Sequence, residues 1–158
     1  MNFILGCDYE FYFLTITYAT AMHYIIWLKT QLRDSRPQFD DPSLGVLEDK
    51  EATCSGEFGN PSGHSLNTSF WLFTCLHFYK HVYKDWFERN RCLGILLEIF
   101  CWVWNAITCL CRLYLGRHSV DQLLLGLMLG VFHCAFCLRI LRPYFYDAIF
   151  FPKKLEGK

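Results

Sequence analysis

RLYLGRHSVDQLLLGLMLG, residues 112–130, holds both the chemistry and the architecture of this chain. Its second half is an apolar run, which predicts a helix. Its first half sets Arg112 and His118 at the mouth of that helix, six residues apart. Gln122 and Gly126 follow His118 at four and eight positions, offsets that return to the same helical face. Gly126 and Gly130 form a small-xxx-small pair, which lets a neighbouring helix come close. A single histidine beside an apolar run is most often a structural residue. An arginine, a histidine and an amide converging at a membrane boundary are costlier to keep without a use.

Outward from this stretch the apolar pattern recurs. Of 158 residues, 53% are hydrophobic and 19% charged, and the apolar ones fall in blocks. Such blocks read as membrane spans. Four are expected: Phe11 to Leu28, Leu66 to Tyr79 with its flanks, Leu93 to Leu115, and Val120 to Leu138. The expected fold is therefore all-α, an integral-membrane bundle of about four transmembrane helices, one domain over residues 1–158. Lys+Arg and Asp+Glu both number 15, so charge makes no case for nucleic acid. The nine cysteines sit mostly in apolar blocks, where thiols pack as small hydrophobes. His133, Cys134 and Cys137, with Cys109 and Cys111, could be read as a metal site. Thiols in apolar helices need no metal to be satisfied, so none is expected. Asp8 and Glu10 stand where a cleavable signal peptide would be basic or apolar.

Four spans would put both ends of the chain and the 80–91 connection on one side. Lys80, Lys84, Arg89, Arg91, Arg139 and Arg142 gather there, which makes it the cytosolic side by the positive-inside rule. The 29–64 loop and the 112–119 turn then share the non-cytosolic face. Residues 139–158, aromatic and basic, are expected to anchor at the interface.

Two further clusters lie on that same face. Lys29 precedes Arg36-Pro37 by seven positions. Lys29 alone would pass for a snorkelling anchor. Arg36 in a loop is harder to explain so, since a guanidinium fork grips two phosphate oxygens while an ammonium adds a point charge. The second cluster is Gly59-Asn60-Pro61-Ser62-Gly63-His64-Ser65. Its Pro and Gly shape a turn whose backbone N–H groups can face an anion at a helix N-terminus. Ser62 adds a hydroxyl, and His64 a candidate acid or base. On its own this is more readily a Pro/Gly turn with a solvated histidine.

Taken together, Lys-x6-Arg-Pro, Pro-Ser-Gly-His and Arg-x5-His resemble the three-part signature of the type 2 phosphatidic acid phosphatase superfamily. That group includes lipid phosphate phosphatases, glucose-6-phosphatases, dolichyl diphosphatases and vanadium haloperoxidases. The resemblance covers residues 29–130. It implies that His118 is the nucleophile and His64 the general acid. Lys29, Arg36 and Arg112 would hold the phosphate oxygens, helped by Ser62 and the Gly63 amide. No cofactor or metal is implied. Phosphoryl transfer is mostly positioning and charge neutralisation, and three cations can provide both.

The chain departs from the family pattern in two places. Cys111 stands where Ser is usual before the arginine of the third motif. Gln122 stands where many members have an Asp that orients the nucleophilic histidine; Asp121 comes one residue early. The register of Gly126 favours Gln122 as the orienter, with Asp121 as a favourable charge on the helix N-terminus. Glucose-6-phosphatase-like and dolichyl-diphosphatase-like members resemble this chain in that glutamine. Membrane members also usually have six or more spans. The expected activity is hydrolysis of a phosphomonoester or diphosphate, chiefly of a lipid, at the non-cytosolic face of an internal membrane such as the endoplasmic reticulum. Expected partners are a phosphorylated lipid or another small phosphate ester, membrane lipid, and partner subunits or a second copy. The competing expectation is a non-catalytic subunit of a membrane complex that keeps the fold. A vanadate-binding haloperoxidase fits poorly, because those enzymes are larger and this chain is a membrane protein.

Overall fold

The structure, a computed structural model, describes residues 2–41, 43 and 58–150, with residues 2–10, 82 and 147–150 described by backbone alone. Most of the acidic part of the expected 29–64 loop and the last residues of the expected tail lie outside the described residues. The described part is helical: α1 (Asn2–Leu32), α2 (Pro37–Asp40), α3 (Gly63–Val82), α4 (Lys84–Arg89), α5 (Arg91–Tyr114), α6 (Val120–Phe136), a π-helical turn (Cys137–Leu141) and α7 (Arg142–Phe150).

Several helix ends have a local reason. α1 stops at Arg33, whose φ of 49° is a left-handed conformation. Its N–H closes on the Lys29 carbonyl at 3.0 Å. Arg36 is extended, as the residue before a proline must be, and Pro37 opens α2. Ser62 caps α3, its hydroxyl accepting from the Ser65 N–H. Gly116, at φ 64°, turns the chain out of α5.

Among the described residues, three stretches are long and apolar enough to cross a membrane: Phe11–Asp40, Arg91–Tyr114 and Val120–Tyr146. α3 was expected as a fourth and is not among them. Its 20 residues reach about 30 Å, enough to span. What lowers its hydropathy is chiefly His64, Asn67, His77, Lys80 and His81, and Ser65, Ser69 and Thr74, which add to it, are buried inside the bundle. The outward faces of α1 and α5, by contrast, expose Tyr24, Trp27, Ile99, Phe100, Trp104 and Leu110.

α3 and α6 form the seam of the bundle. A Cβ at Gly126 would lie 2.5 Å from the Ser62 carbonyl oxygen, and one at Gly130 would overlap Ser69 Oγ and the Leu66 carbonyl. The pair is thus glycine because backbone meets backbone there. Ser69 Oγ donates within α3 to the Ser65 carbonyl at 2.7 Å and lies 3.4 Å from the Leu127 carbonyl of α6. Lower down, Thr74 donates to Cys134 Sγ at 3.3 Å. In lipid such packing and interhelical bonds replace the hydrophobic effect, each bond contributing about 0.6 kcal/mol on average.

These contacts fix directions. α3 and α6 run the same way, since Ser62 meets Gly126 and Thr74 meets Cys134. α1 runs opposite: Phe13 packs with Phe70, Cys134 and Cys137, while Ile25 packs with Leu66 near the start of α3. α5 also runs opposite, with Cys109 Sγ 3.4 Å from Ser65 Oγ and Glu98 paired to Lys80. One end of the bundle therefore gathers the C-termini of α1 and α5 and the N-termini of α3 and α6. His133 Nε2 lies 3.1 Å from the Thr17 carbonyl and 3.5 Å from Cys137 Sγ, so the histidine of the suspected metal cluster is engaged within the core.

Candidate active site

All three motifs meet at that end of the bundle. Lys29, on the last turn of α1, is buried and donates from Nζ to the Phe58 carbonyl at 3.1 Å. Arg36, just before α2, is only 5% exposed. Arg112 closes α5, and its buried Nε–H has no acceptor among the described residues. α3 and α6 direct their N-termini here, where free backbone N–H groups and the helix dipoles favour an anion.

His118 is 2% exposed and sits in the turn between α5 and α6. Its Nδ1 is 3.3 Å from Gln122 Oε1. Burial, foremost, then the charges of Arg36 and Arg112, and to a lesser degree Lys29, push its pKa down to about 4 against the support of Gln122. His64, on the first turn of α3, is exposed at the rim. Partial desolvation, then Arg112, Arg36 and Lys29, lower its pKa from 6.5. The same three cations act on both imidazoles, and both lie at the end of the bundle where the three motifs meet. At neutral pH His118 carries no charge.

The serine and glycine of the second motif are placed differently. Ser62 is fully buried, and its Oγ accepts from the Ser65 hydroxyl at 3.1 Å. Gly63 opens α3, and a Cβ there would meet only Ile25 Cγ2, at 3.9 Å. Packing therefore does not require a glycine at 63, unlike at Gly126 and Gly130. Asp121 is exposed and accepts the Ser119 hydroxyl on the first turn of α6, turned from His118. Cys111 is exposed too, so the thiol in that position disturbs no buried network.

The sequence matches the PAP2 superfamily over residues 11–145. The chain belongs to that superfamily. Among curated relatives, it is 28% identical to glucose-6-phosphatase catalytic subunit 1 of Bos taurus over 97 residues, 59% of this chain and 27% of the relative. The Canis lupus familiaris protein of the same name gives 27% over 96 residues, with the same coverage of both chains. The chain spans about a quarter of the length of these relatives. It is 25% identical to probable lipid phosphate phosphatase beta of Arabidopsis thaliana over 165 residues, covering 96% of this chain and 68% of that one. No solved structure matches.

This PAP2 superfamily member carries one further polar group at the site that the motifs did not reveal. Asp34, two residues before Arg36, accepts from Gln122 Nε2 at 2.9 Å. Its carboxylate also lies 3.3 Å from Asn60 Nδ2, and its carbonyl accepts the Gly59 N–H at 2.8 Å. The aspartate thereby ties the first motif to the second and to α6. A Cβ on Gly59 would stand 2.7 Å from Gln122 Oε1, so this glycine is needed for the three segments to close. The only sequence signal was the Gly59 turn itself. Nothing in the sequence pairs Asp34 with a residue 88 positions away.

Proposed function

We propose that this chain is a metal-independent membrane phosphatase that hydrolyses a phosphomonoester or diphosphate through a phosphohistidine on His118. The observation that carries the reading is the meeting of Lys29, Arg36, His64, Arg112 and His118 at one end of the bundle, where the three cations lower the pKa of both imidazoles. A phosphate among the three cations would neutralise them and bring both imidazoles to the phosphorus. Neutral His118, its Nδ1 turned to Gln122, presents Nε2 for attack. The N–P bond forms as the bond to the leaving oxygen breaks, and protonated His64 gives that oxygen its proton. His64, now neutral, takes a proton from water. The hydroxide attacks phosphorus, the N–P bond breaks, and phosphate leaves. Bound phosphate offsets the three cations, which raises the His64 pKa toward the protonated form this step needs. The Arg112 Nε–H and the Gly63 amide are donors available to phosphate oxygens.

The substrate we favour is a phosphorylated lipid. The helices around the site have exposed apolar faces, and a match to a probable lipid phosphate phosphatase covers nearly the whole chain. Gln122 and the likeness to glucose-6-phosphatase favour a second reading, a soluble sugar phosphate. By the charge asymmetry of the sequence the site faces away from the cytosol, in an internal membrane such as the endoplasmic reticulum. The test is phosphate release by the purified protein, in EDTA, from matched lipid and sugar phosphates, with vanadate as inhibitor. Release that vanadate abolishes supports the mechanism, and the preferred arm names the substrate class. No release and no acid-labile phosphoenzyme would leave a fold-retaining subunit of a membrane complex.

A further inference from the structure

We propose that Asp34 is a positioning residue that acts on His118 through Gln122, so that carboxylate, amide and imidazole form one line that selects the reactive ring nitrogen. The argument is one of obligate donors and acceptors. Around the Gln122 side chain stand one backbone donor, the Ser119 N–H at 3.3 Å, and two acceptors, Asp34 Oδ2 at 2.9 Å and the Ser35 carbonyl at 2.8 Å. The Ser119 N–H can only donate, and the carboxylate and carbonyl can only accept. Only one amide orientation satisfies all three: Nε2 toward residues 34 and 35, Oε1 toward Ser119. The remaining Oε1 lone pair then faces His118 Nδ1 at 3.3 Å, so Nδ1 must hold the proton. Nε2 of His118 is left as a lone pair.

Asp34 does more than hold a loop. Its charge, one amide removed from the imidazole, favours the positive charge that develops on His118 during attack. A carboxylate at residue 122 would do this by direct contact, and here the charge stands one residue further back. The kinetic consequence rests on the phosphatase reading; the choice of tautomer does not.

The experiment compares wild type, Asp34→Asn, Asn60→Ala and the double variant Asp34→Asn/Gln122→Glu, each checked for unchanged helical content. Histidine 15N shifts in detergent report the His118 tautomer, assigned by loss of its signals in His118→Ala. Phosphate release gives kcat and KM. Wild type should show the Nδ1–H form. An asparagine at 34 can donate as well as accept, so only the Ser119 N–H and the Ser35 carbonyl still oppose the flipped amide, and Gln122 is held in its direction less firmly. Asp34→Asn should then mix the two tautomers and lower kcat by about 10–100-fold with KM nearly unchanged. The double variant returns an acceptor-only group to face Nδ1 and should recover a single tautomer and part of kcat. Asn60→Ala removes the other bond to the same aspartate oxygen and should leave tautomer and kcat close to wild type. Wild-type tautomer in Asp34→Asn, or the same losses in Asn60→Ala, would overturn the proposal and make Asp34 a loop staple. A wild-type protein that releases no phosphate defeats the phosphatase reading, and the tautomer measurement still decides on Asp34.

Discussion

The turn that carries His118 and the turn that carries His64 sit in the field of the same three cations, yet they are built differently. His118 lies sealed between α5 and α6, tied by Gln122 to residues 34 and 35. His64 stands exposed on the first turn of α3. Because the charges are shared, the difference between the rings comes from solvation and hydrogen bonding. The sealed ring is driven to a pKa of about 4; the exposed one is lowered with less desolvation. Two like groups pushed apart by environment is how a site divides nucleophile from acid. The lesson is that burial, more than residue type or charge, separates the two rings, and the proposed roles follow that separation.

The strongest way to break this comparison is to remove the sealed ring. His118→Ala should abolish phosphate release, a loss on the order of 10⁴-fold or more, and eliminate any phosphoenzyme, with helical content unchanged. Residual turnover through a phosphoenzyme would move the nucleophile elsewhere. Removing the exposed ring should cost less and depend on the substrate. His64→Ala is expected to slow alkyl phosphates by about 10²–10⁴-fold and to spare aryl phosphates, whose leaving oxygens need no proton. Equal losses on both would deny His64 the role of acid.

The two pKa directions sharpen the comparison through pH. His118 must be neutral, which holds above about pH 4. His64 must be protonated, and its pKa lies below 6.5 in the free protein. The profile of kcat/KM should therefore peak on the acid side of 6.5 and fall as pH rises, with the falling limb absent in His64→Ala. Stability carries the opposite sign. A histidine held neutral in the fold stabilises it above 6.5, and that contribution is lost as pH falls from 6.5 through about 4. His118→Ala should flatten this part of the unfolding curve.

A smaller effect tests the wall of the open turn. Gly63 has room for a methyl group. Gly63→Ala should leave stability unchanged or raise it by about 0.5–1 kcal/mol, as alanine does in a helix. If phosphate lies against that amide, turnover should nevertheless drop by roughly tenfold through misplacement. Unchanged turnover would mean that the phosphate sits away from the start of α3.

Much of this was legible in the chain. The blocks behind α1, α5 and α6 are mostly apolar, so length and hydropathy place α5 and α6 within two residues, whereas α1 begins at Asn2, nine residues before the expected Phe11. The seam was readable too, because Gly126 and Gly130 recur at the helical period and do meet α3 backbone. α3 was expected as a span and is less apolar than the others, and the sequence does not show that its Ser65, Ser69 and Thr74 face the interior. The π-helical turn at Cys137–Leu141 left no mark, as its residues are ordinary helix formers. At the site, motif spacing named the cations and histidines because each lies at a helix end whose register is local. Asp34 escaped because its meaning depends on a contact across 88 residues, and a charged residue in a loop is by default solvated.

The smallest expected effect belongs to Asp121, the carboxylate nearest His118 in sequence among the residues of α6. Sequence left it as the rival of Gln122 for orienting the ring. It is exposed on the first turn of α6, where it accepts the Ser119 hydroxyl, and the His118 Nδ1 contact goes to Gln122. Its remaining effect is a negative charge at a helix N-terminus, of about 0.3–1 kcal/mol when exposed and screened by salt. Asp121→Asn should thus lower thermal stability slightly, less so at high salt, and leave kcat and KM near wild type. Gln122→Ala removes the acceptor for Nδ1 and the donors to Asp34 and Ser35, so it should slow turnover far more. If Asp121→Asn silences the protein while Gln122→Ala does not, the assignment reverses. In that case the open turn and the sealed turn would both be governed by groups at their solvent edge, and burial would no longer separate them.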